Sequence, residues 1–331
     1  MKSVKQFAGA VCFWLILALV VHGLIFITRN KNEADLVWPY YDEPKNSLDV
    51  VFVGSSHVMS GIYPMELYRE YGIAAYDYTS SALVLPQAYY QVVEALKTQT
   101  PEVLVLDVSG VTYDNAKIGS PEYVHVQFDN MKWSLNKIEA INDLIEDPGD
   151  RLEYYFPLLK FHTRWKELTP EDYEPVTGDT KGAHVSETVL ENARPYEVLP
   201  ADHVAPISQY PEEYLRKILD YCRDRGVQVL LLNLPAIVTE EAQEKYNAVY
   251  AIAEEYGVPY LNLLHHLDGV GFDYASDLTD TSHCNRWGAE KVTSYVGAYL
   301  KENYDLPDRR GDAAYASAWD AAYERYASAH S

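Results

Sequence analysis

The stretch LDVVFVGSSH, residues 48–57, decides the fold of this chain. Its first six residues, Leu48–Val53, form a nearly continuous apolar run, which is typical of a strand buried on both faces of a parallel sheet. Gly54 ends the run, and Ser55 and Ser56 follow where a loop would lead into a helix. We therefore predict a buried first strand with a serine-containing turn at its carboxyl end.

Similar apolar runs recur along the chain and alternate with stretches of helical period. Strands separated by helices predict the α/β class, with five parallel strands, right-handed crossovers and helices on both faces of the sheet, in three layers. Ligands in such sheets bind beyond the carboxyl ends of the strands, where the strand order reverses. The other predicted strands are Ile73–Tyr78, Glu102–Val108, Val227–Asn233 and Pro259–Leu264, and the predicted helices are Tyr63–Tyr71, Leu85–Lys97, Glu212–Arg225, Glu240–Tyr256 and Trp287–Asn303.

A long segment from Val111 to Tyr210 interrupts this alternation after the third strand. A connection of about one hundred residues is far longer than an ordinary loop, which predicts a mostly helical cap or a lid. Helical periodicity is present at Ser134–Ile145 and Tyr155–Leu168.

Residues 7–27, FAGAVCFWLILALVVHGLIFI, are apolar and contain no Asp, Glu, Lys or Arg. About 20 such residues span the hydrocarbon core of a membrane as a helix. Basic residues precede and follow the run, so charge does not fix its orientation in the membrane. Nearly all of the chain follows the run, as in a signal anchor with an exported body. A cleaved signal peptide and a buried core helix stay open as alternatives, although no A-x-A-like cleavage site stands near Ile27.

These features predict a single-pass protein of the cytoplasmic membrane, with its folded part outside the cytoplasm. The segment between the apolar run and the first strand is polar, contains two prolines and is expected to be a linker. The predicted parts are residues 1–29 as cytoplasmic stub and transmembrane anchor, 30–47 as linker, 48–305 as the α/β domain with 111–210 inserted, and 306–331 as a tail with a surface helix or packing arm at Ala313–Ala327.

Two loops carry the candidate chemistry. Ser56 follows the first strand, where its hydroxyl would stand above the sheet and the next helix offers unpaired N–H groups to an oxyanion. Asp280 and His283 follow the fifth strand, and a carboxylate that accepts from the imidazole Nδ1–H leaves Nε2 free to take the serine proton. Because both loops lie at one edge of the sheet, we predict a catalytic triad of Ser56, Asp280 and His283. Simpler roles stay open: a turn at Ser56, a solvated His283, and Asp280 as a helix cap.

The blocks Gly54-Ser55-Ser56-His57 and Asp280-Thr281-Ser282-His283 resemble the first and last blocks of the SGNH/GDSL hydrolase superfamily. The resemblance implies a flavodoxin-like SGNH fold, with Ser56 as nucleophile, His283 as base and Asp280 as the residue that orients it. The GSSH variant, the predicted anchor and the long insertion resemble the exported acyl-transfer branch of that superfamily. This branch includes the D-alanyl-lipoteichoic-acid transfer proteins and the alginate O-acetyltransferase-like proteins.

Two other blocks of that superfamily are altered in this chain. Thr79-Ser80-Ser81 stands where a glycine is expected after the second strand, and Asp107-Val108-Ser109-Gly110 stands where GxND is expected after the third. The missing asparagine argues against efficient ordinary hydrolysis and favours a specialised transferase. The candidates for the oxyanion hole are Ser56, Ser80, Ser81 and Ser109.

Some further residues have both a chemical and a plainer interpretation. His57 would line the pocket or support the turn. In the insertion, Arg164 would clamp an anionic substrate and Trp165 would stack on a sugar, unless Phe161–Trp165 belongs to an amphipathic helix that packs its aromatic side chains inward. The candidates for substrate binding are His57, His162, Arg164 and Trp165.

The sequence contains no metal-binding or cofactor-binding motif. Adjacent His265 and His266 are a poor pair of ligands for one ion, and no spaced carboxylate completes a set with His283. Cys284 follows His283 but points the other way in an extended segment, so we do not predict a thiol nucleophile. Cys222 is expected to be a buried small residue, at most paired with Cys284. We expect no metal and no cofactor.

The net charge of −22 bears on the class of partner. A surface this acidic, without a stripe of Lys and Arg, repels phosphate backbones, so we expect no nucleic acid to bind. The same repulsion hinders polyanionic polymers unless the mouth of the active site is locally basic.

The sequence therefore predicts acyl transfer through an acyl-Ser56 intermediate. The expected acceptor is a hydroxyl of a cell-envelope or secreted polysaccharide, or water if the protein is an esterase. The resemblance and the anchor suggest a multi-spanning membrane acyltransferase as partner and acyl donor. Two alternatives stay open: a non-catalytic scaffold that binds the envelope or a glycan, and an exported esterase or lipase for small ester substrates.

Overall fold

A sheet of five parallel strands forms the centre of the protein. The computed structural model describes residues 2–330, so Met1 and Ser331, the outermost residues of the predicted stub and tail, lie outside the described residues. The strands lie in the spatial order second, first, third, fourth, fifth. They are β1 (Val50–Gly54), β2 (Ala75–Thr79), β3 (Val103–Asp107), β4 (Gln228–Asn233) and β5 (Tyr260–Asn262).

Helices cover this sheet and confirm the predicted α/β class. The α-helices of the described part are α1 (Lys2–Thr28), α2 (Ala34–Val37), α3 (Ser56–Gly61), α4 (Pro64–Tyr71), α5 (Leu85–Ala95), α6 (Pro121–Asn130), α7 (Leu135–Leu144), α8 (Pro148–Tyr155), α9 (Leu158–Phe161), α10 (Gln209–Arg223), α11 (Glu240–Tyr256), α12 (Leu267–Val270), α13 (Arg286–Asn303) and α14 (Ala316–Ala329). Helix α4 packs against α13, and α5 packs against α10. Helix α1 is long and apolar enough to span a membrane.

Strand β1 lies between β2 and β3, at the point where the strand order reverses. The side chains of residues 50–53 have no exposed surface, as the apolar run predicted. Gly54 pairs with Thr79 of β2, and Val53 pairs with Leu106 of β3, so the three strands end at nearly the same level. The loops that follow them therefore share one edge of the sheet, which is where ligands bind in folds of this kind.

The segment predicted as a linker is folded onto the domain. Residues 30–47 contain α2 and a 3-10 helix at Trp38–Asp42. Tyr40 is fully buried and donates a hydrogen bond to the carbonyl of Ala95 at 2.8 Å. Leu36 and Tyr40, four residues apart, bury their side chains on one face of a short helical segment. The polar residues and prolines of this segment obscure that pattern in the sequence.

The insertion contains four short helices, α6 to α9, and is only partly helical. The helix predicted at Tyr155–Leu168 is broken, because α8 ends at Tyr155 and Pro157 precedes α9. Proline lacks the N–H that a continuous helix needs, and its ring clashes with the preceding turn. A 3-10 helix at His162–Lys166 follows, and residues 174–208 form neither helix nor strand.

The C-terminal tail packs on the domain as an arm. Helix α14 contacts α4, where the ring of Trp319 lies 5.2 Å from that of Tyr68 and only 4% of Trp319 is exposed. Arg309 precedes α14 and donates hydrogen bonds to both carboxylate oxygens of Asp49, the shortest at 2.7 Å. The tail thus covers the outer side of α4.

We expect Trp319→Ala to lower the free energy of unfolding by about 3 kcal/mol, because it leaves a cavity where a buried indole packs. The matched control is Trp287→Ala, which removes an indole that is 44% exposed and should cost less than about 1 kcal/mol. Urea denaturation of the full chain in detergent measures both. Equal losses for the two variants would show that the tail does not pack as described.

Candidate active site

The end of β1 places Ser56 at the first position of a helix. Ser55 caps α3 by accepting a hydrogen bond from the N–H of His57 at 3.3 Å. The N–H groups of a first helical turn have no partner within the helix, so that of Ser56 is free by position to meet an oxyanion. A side chain at Gly54 would overlap the side chain of Asp107, which explains why the strand must end in glycine.

The loop before α13 fixes Asp280 in place through its own backbone. Leu278 and Cys284 form an antiparallel bridge, so the chain between them makes a tight turn. One carboxylate oxygen of Asp280 accepts hydrogen bonds from the N–H groups of Ser282 at 2.7 Å and His283 at 3.0 Å. The cap of α13 is Asn285, so Asp280 does not act as the helix cap that was its plainer interpretation.

The structure brings the three predicted triad side chains into one line. Nδ1 of His283 lies 2.8 Å from Oδ2 of Asp280, and Nε2 of His283 lies 2.7 Å from Oγ of Ser56. Both distances are within hydrogen-bond reach, and the order carboxylate, imidazole, hydroxyl is the one that general-base activation of a serine requires. Two loops more than two hundred residues apart thus meet at one edge of the sheet.

The charges around the imidazole suit this role. Partial burial acts to raise the pKa of Asp280, but the hydrogen bonds from His283 and Ser282 outweigh it and hold that pKa below its usual range. Asp280 is therefore ionised wherever His283 can act as a base. The ring of His57 lies edge-on to that of His283, 5.7 Å away, and burial lowers the pKa of His57. A neutral His57 adds no second positive charge beside His283.

Asp107 ties the loop after β1 to the loop after β3. Its buried carboxylate accepts hydrogen bonds from the N–H and the hydroxyl of Ser55, at 3.1 and 2.7 Å. It also accepts from the N–H and the hydroxyl of Ser109, at 2.8 and 2.7 Å. Since Ser55 directly precedes Ser56, Asp107 sets the position of Ser56 without touching it. Sequence reasoning treated this aspartate only as part of an altered block.

The four oxyanion-hole candidates have different surroundings. The N–H of Ser80 donates to the carbonyl of Gly54 at 3.2 Å, and the N–H of Ser109 donates to Asp107, so both are engaged inside the fold. The N–H of Ser81 donates to Oε2 of Glu33 at 3.1 Å. Ser56 and Ser81 line the same cleft. The N–H of Ser56 is therefore the first candidate, and that of Ser81 joins it only if Glu33 gives up its hydrogen bond.

Glu33 is a residue of the site that sequence reasoning missed. It stands between α1 and α2 with a φ of 61°, a left-handed conformation that is unfavourable for a residue with a side chain. Burial raises the pKa of its carboxyl, and the hydrogen bonds from Ser81 only partly offset this. Its place in a polar segment next to the apolar helix gave no signal, because nothing in the sequence shows that the segment folds back to Ser81.

The cleft around Ser56 has a volume of about 550 Å³ and is open to solvent. The segment after α1 forms one wall, and the part of the insertion without helix or strand contributes His184 and Ser186. The hydroxyl of Ser186 lies 2.9 Å from that of Thr279, which joins the insertion to the loop that carries Asp280. Among the described lining residues there are three carboxylates, of Glu33, Asp35 and Asp280, and neither Lys nor Arg.

The other predicted site residues lie elsewhere. His162, Arg164 and Trp165 are not among the described residues that line the cleft. Arg164 instead donates hydrogen bonds to the carbonyls of Thr28 and Arg29 at the end of α1. These three residues have no place in the site as the structure shows it.

The cysteines take no part in the site. Cys222 and Cys284 are both buried and are not joined in a disulfide. Burial raises the pKa of the Cys284 thiol to about 12, so this neighbour of His283 stays protonated. The structure gives it no nucleophilic role.

Comparisons with known proteins add general likeness only. No family model matches the chain. No curated protein matches it. A solved structure from Desulfitobacterium hafniense, described as a lipolytic protein of the G-D-S-L family, is 10% identical, with 76% of this chain and 98% of that chain covered and a TM-score of 0.39. One from Bacteroides fragilis, described as an acylhydrolase, is 10% identical, with 80% and 94% covered and a TM-score of 0.41.

A third solved structure, a gut microbial diltiazem-metabolizing enzyme, is 14% identical, with 81% of this chain and 48% of that chain covered and a TM-score of 0.29. We draw no functional conclusion from likenesses at this level. The geometry around Ser56 carries the functional interpretation.

We expect Glu33→Gln to raise the rate at which Ser56 is acylated by p-nitrophenyl acetate by roughly fivefold, about 1 kcal/mol. The carboxylate of Glu33 accepts the N–H of Ser81 and adds a negative charge to the cleft that Ser56 lines, which opposes a developing oxyanion. The gain should shrink as the pH falls through the raised pKa of Glu33, since protonation removes the same charge from the unchanged protein. Stopped-flow measurement of the p-nitrophenolate burst follows the rate.

Asp35→Asn is the control for this experiment, since it removes another carboxylate of the cleft. A smaller gain than that of Glu33→Gln is expected, because the N–H of Ser81 donates to Glu33. A slower burst in Glu33→Gln, at every pH, would show instead that Glu33 supports the reaction.

Proposed function

We propose that this protein is a serine acyl-transfer enzyme of the SGNH/GDSL type, working as an O-acyltransferase or an esterase. The observation that carries the proposal is the alignment of Ser56, His283 and Asp280 at 2.7 and 2.8 Å. The paired blocks around Ser56 and Asp280 support the family assignment.

The side chains have defined roles in the reaction. His283 Nε2 takes the proton of Ser56 as Oγ attacks the acyl carbonyl, while Asp280 holds Nδ1–H and stabilises the imidazolium. The N–H of Ser56, with that of Ser81 once Glu33 releases it, stabilises the oxyanion. The leaving group takes the proton from His283 and departs, which leaves an acyl-Ser56 ester. His283 then deprotonates the second substrate, a hydroxyl or water, whose oxygen attacks the ester and restores Ser56.

The lining of the cleft favours a neutral, hydroxyl-rich acceptor. Three carboxylates and no Lys or Arg among the described lining residues repel phosphate-bearing or carboxylate-bearing polymers. Serine, threonine and asparagine side chains provide donors and acceptors for sugar hydroxyls. We propose a neutral polysaccharide of the cell envelope or a secreted one as acceptor, reached from a single-pass anchor formed by α1. A multi-spanning membrane acyltransferase remains the proposed source of the acyl group.

The decisive test is covalent labelling of the full chain in detergent with a fluorophosphonate, read by intact mass. We expect one adduct on the unchanged protein and none on Ser56→Ala, with Asp280→Asn at least about 100-fold slower because the imidazole loses its orientation. Ser317→Ala, on α14, is the control and should label normally. Absence of the adduct, together with absence of p-nitrophenyl acetate turnover, would leave an anchored scaffold without this chemistry.

The fate of the acyl group distinguishes a transferase from an esterase. With p-nitrophenyl acetate as donor and a neutral oligosaccharide as acceptor, we expect acetylated oligosaccharide in addition to acetate, detected by mass spectrometry. The acceptor should also speed deacylation, because the sugar hydroxyl competes with water for the acyl-Ser56 ester. Acetate as the sole product at all acceptor concentrations would assign the protein as an esterase.

A further inference from the structure

The last two turns of helix α1 pack against the insertion. Residues 4–20 of α1 are exposed, whereas Val21 and residues 25–27 are partly covered and Thr28 is buried. The cover comes from α9 and from the 3-10 helices His162–Lys166 and Pro170–Tyr173. Since a helix rises 1.5 Å per residue, the covered part is roughly 10 Å long.

Polar contacts make this junction specific. Arg164 donates hydrogen bonds to the carbonyls of Thr28 and Arg29, at 3.0 and 2.6 Å, and pairs with Asp172 at 3.0 Å. Lys31 donates to the carbonyl of Asp172 at 2.6 Å. The unpaired carbonyls at the end of α1 are thus satisfied by the insertion, which fixes the angle between helix and domain.

The same part of the insertion exposes large apolar side chains. They lie on α8 and at its C-terminal end, on α9, and on the two 3-10 helices that touch α1. Exposed apolar patches of this kind mark interaction surfaces. The residues and their exposed fractions are Leu152 (51%), Phe156 (52%), Leu159 (53%), Trp165 (65%) and Tyr173 (60%).

The charge of this segment differs from that of the chain. Residues 148–173 contain four basic and five acidic residues, close to balance in a chain with 27 basic and 49 acidic ones, and three of the four basic residues lie in residues 158–166, LLKFHTRWK, which contain no acidic one. Lys160 pairs with Glu153 at 3.3 Å, and Lys166 lies over the ring of Trp165. Tryptophan and basic side chains beside an apolar face are typical of segments that lie in a membrane interface, where anionic lipids attract them.

We propose that this surface, residues 148–173, lies in the headgroup region of an anionic lipid bilayer and holds the domain flat beside its own anchor. Its continuity with α1 identifies the occupant, because a bilayer that surrounds the exposed turns of α1 meets α9 and Trp165 next. The cleft around Ser56 then faces substrates at the membrane surface, since the segment after α1 forms one of its walls. This assigns to Arg164 and Trp165 a docking role in place of substrate binding.

Site-specific fluorescence in vesicles tests this docking. The full chain is reconstituted in phosphatidylcholine vesicles, with and without phosphatidylglycerol, that contain lipids with a nitroxide near the top of the acyl chain. A fluorophore on native Cys12 reports insertion of α1, since Cys222 and Cys284 are buried. In a Cys12→Ser background, Trp165→Cys and Leu159→Cys place the fluorophore on the proposed surface, and Val204→Cys places it on an exposed loop that packs on α11.

We expect the nitroxide lipid to quench the fluorophore at positions 165 and 159 about twofold more than at 204, and more strongly with phosphatidylglycerol present. Lys160→Gln with Lys166→Gln should remove the dependence on phosphatidylglycerol while Cys12 stays quenched. Quenching at 165 and 159 no greater than at 204, with Cys12 quenched, would overturn the proposal. So would an unquenched Cys12, because α1 would then not define a bilayer beside the surface.

Discussion

The buried carboxylate of Asp107 is the interaction on which the site depends. Four hydrogen bonds from Ser55 and Ser109 converge on it. A buried charge is tolerated only where hydrogen bonds replace its lost hydration, so these donors cannot turn away without a large cost. The loop after β1 is thereby held to the end of β3, and Ser56 follows Ser55 directly. The absence of a side chain at Gly54 lets the two strands approach closely enough for this arrangement.

The second half of the site is fixed by an independent device. The turn between Leu278 and Cys284 uses the same carboxylate of Asp280 to hold its own backbone and to orient His283. Local hydrogen bonds thus set the imidazole before it meets the serine. Each of the two loops is organised around one aspartate, and their position at a common edge of the sheet brings Ser56 and His283 together. Such preorganisation is what makes a serine hydroxyl a usable nucleophile, because no reorientation has to accompany proton transfer.

The sequence predicted the parts of this arrangement that depend on short-range pattern. Apolar runs are typical of buried parallel strands, so the sequence predicted β1 and the position of Ser56 at its end. It also predicted helix α11 with its observed ends, Glu240 and Tyr256. It did not predict Glu33, whose role depends on a left-handed turn and on a contact with Ser81 across the fold. Nor did it predict the break at Pro157, because the apolar residues around this proline keep a helical spacing. Long-range contacts of single polar residues leave no periodic trace in a sequence.

Residues 30–47 connect α1 directly to the cleft around Ser56. A flexible linker would separate α1 from the cleft, whereas here Arg164 donates a hydrogen bond to the carbonyl of Thr28 at the end of α1, and Glu33 accepts one from the N–H of Ser81. Helix α1, the wall of the cleft and the N–H of Ser81 therefore form a continuous structure. Removal of residues 1–47 would take away that wall together with Glu33, and would also uncover Tyr76 and Tyr78 of β2, on which Tyr40 packs. The same few residues consequently set both the orientation of α1 on the domain and the surroundings of Ser56.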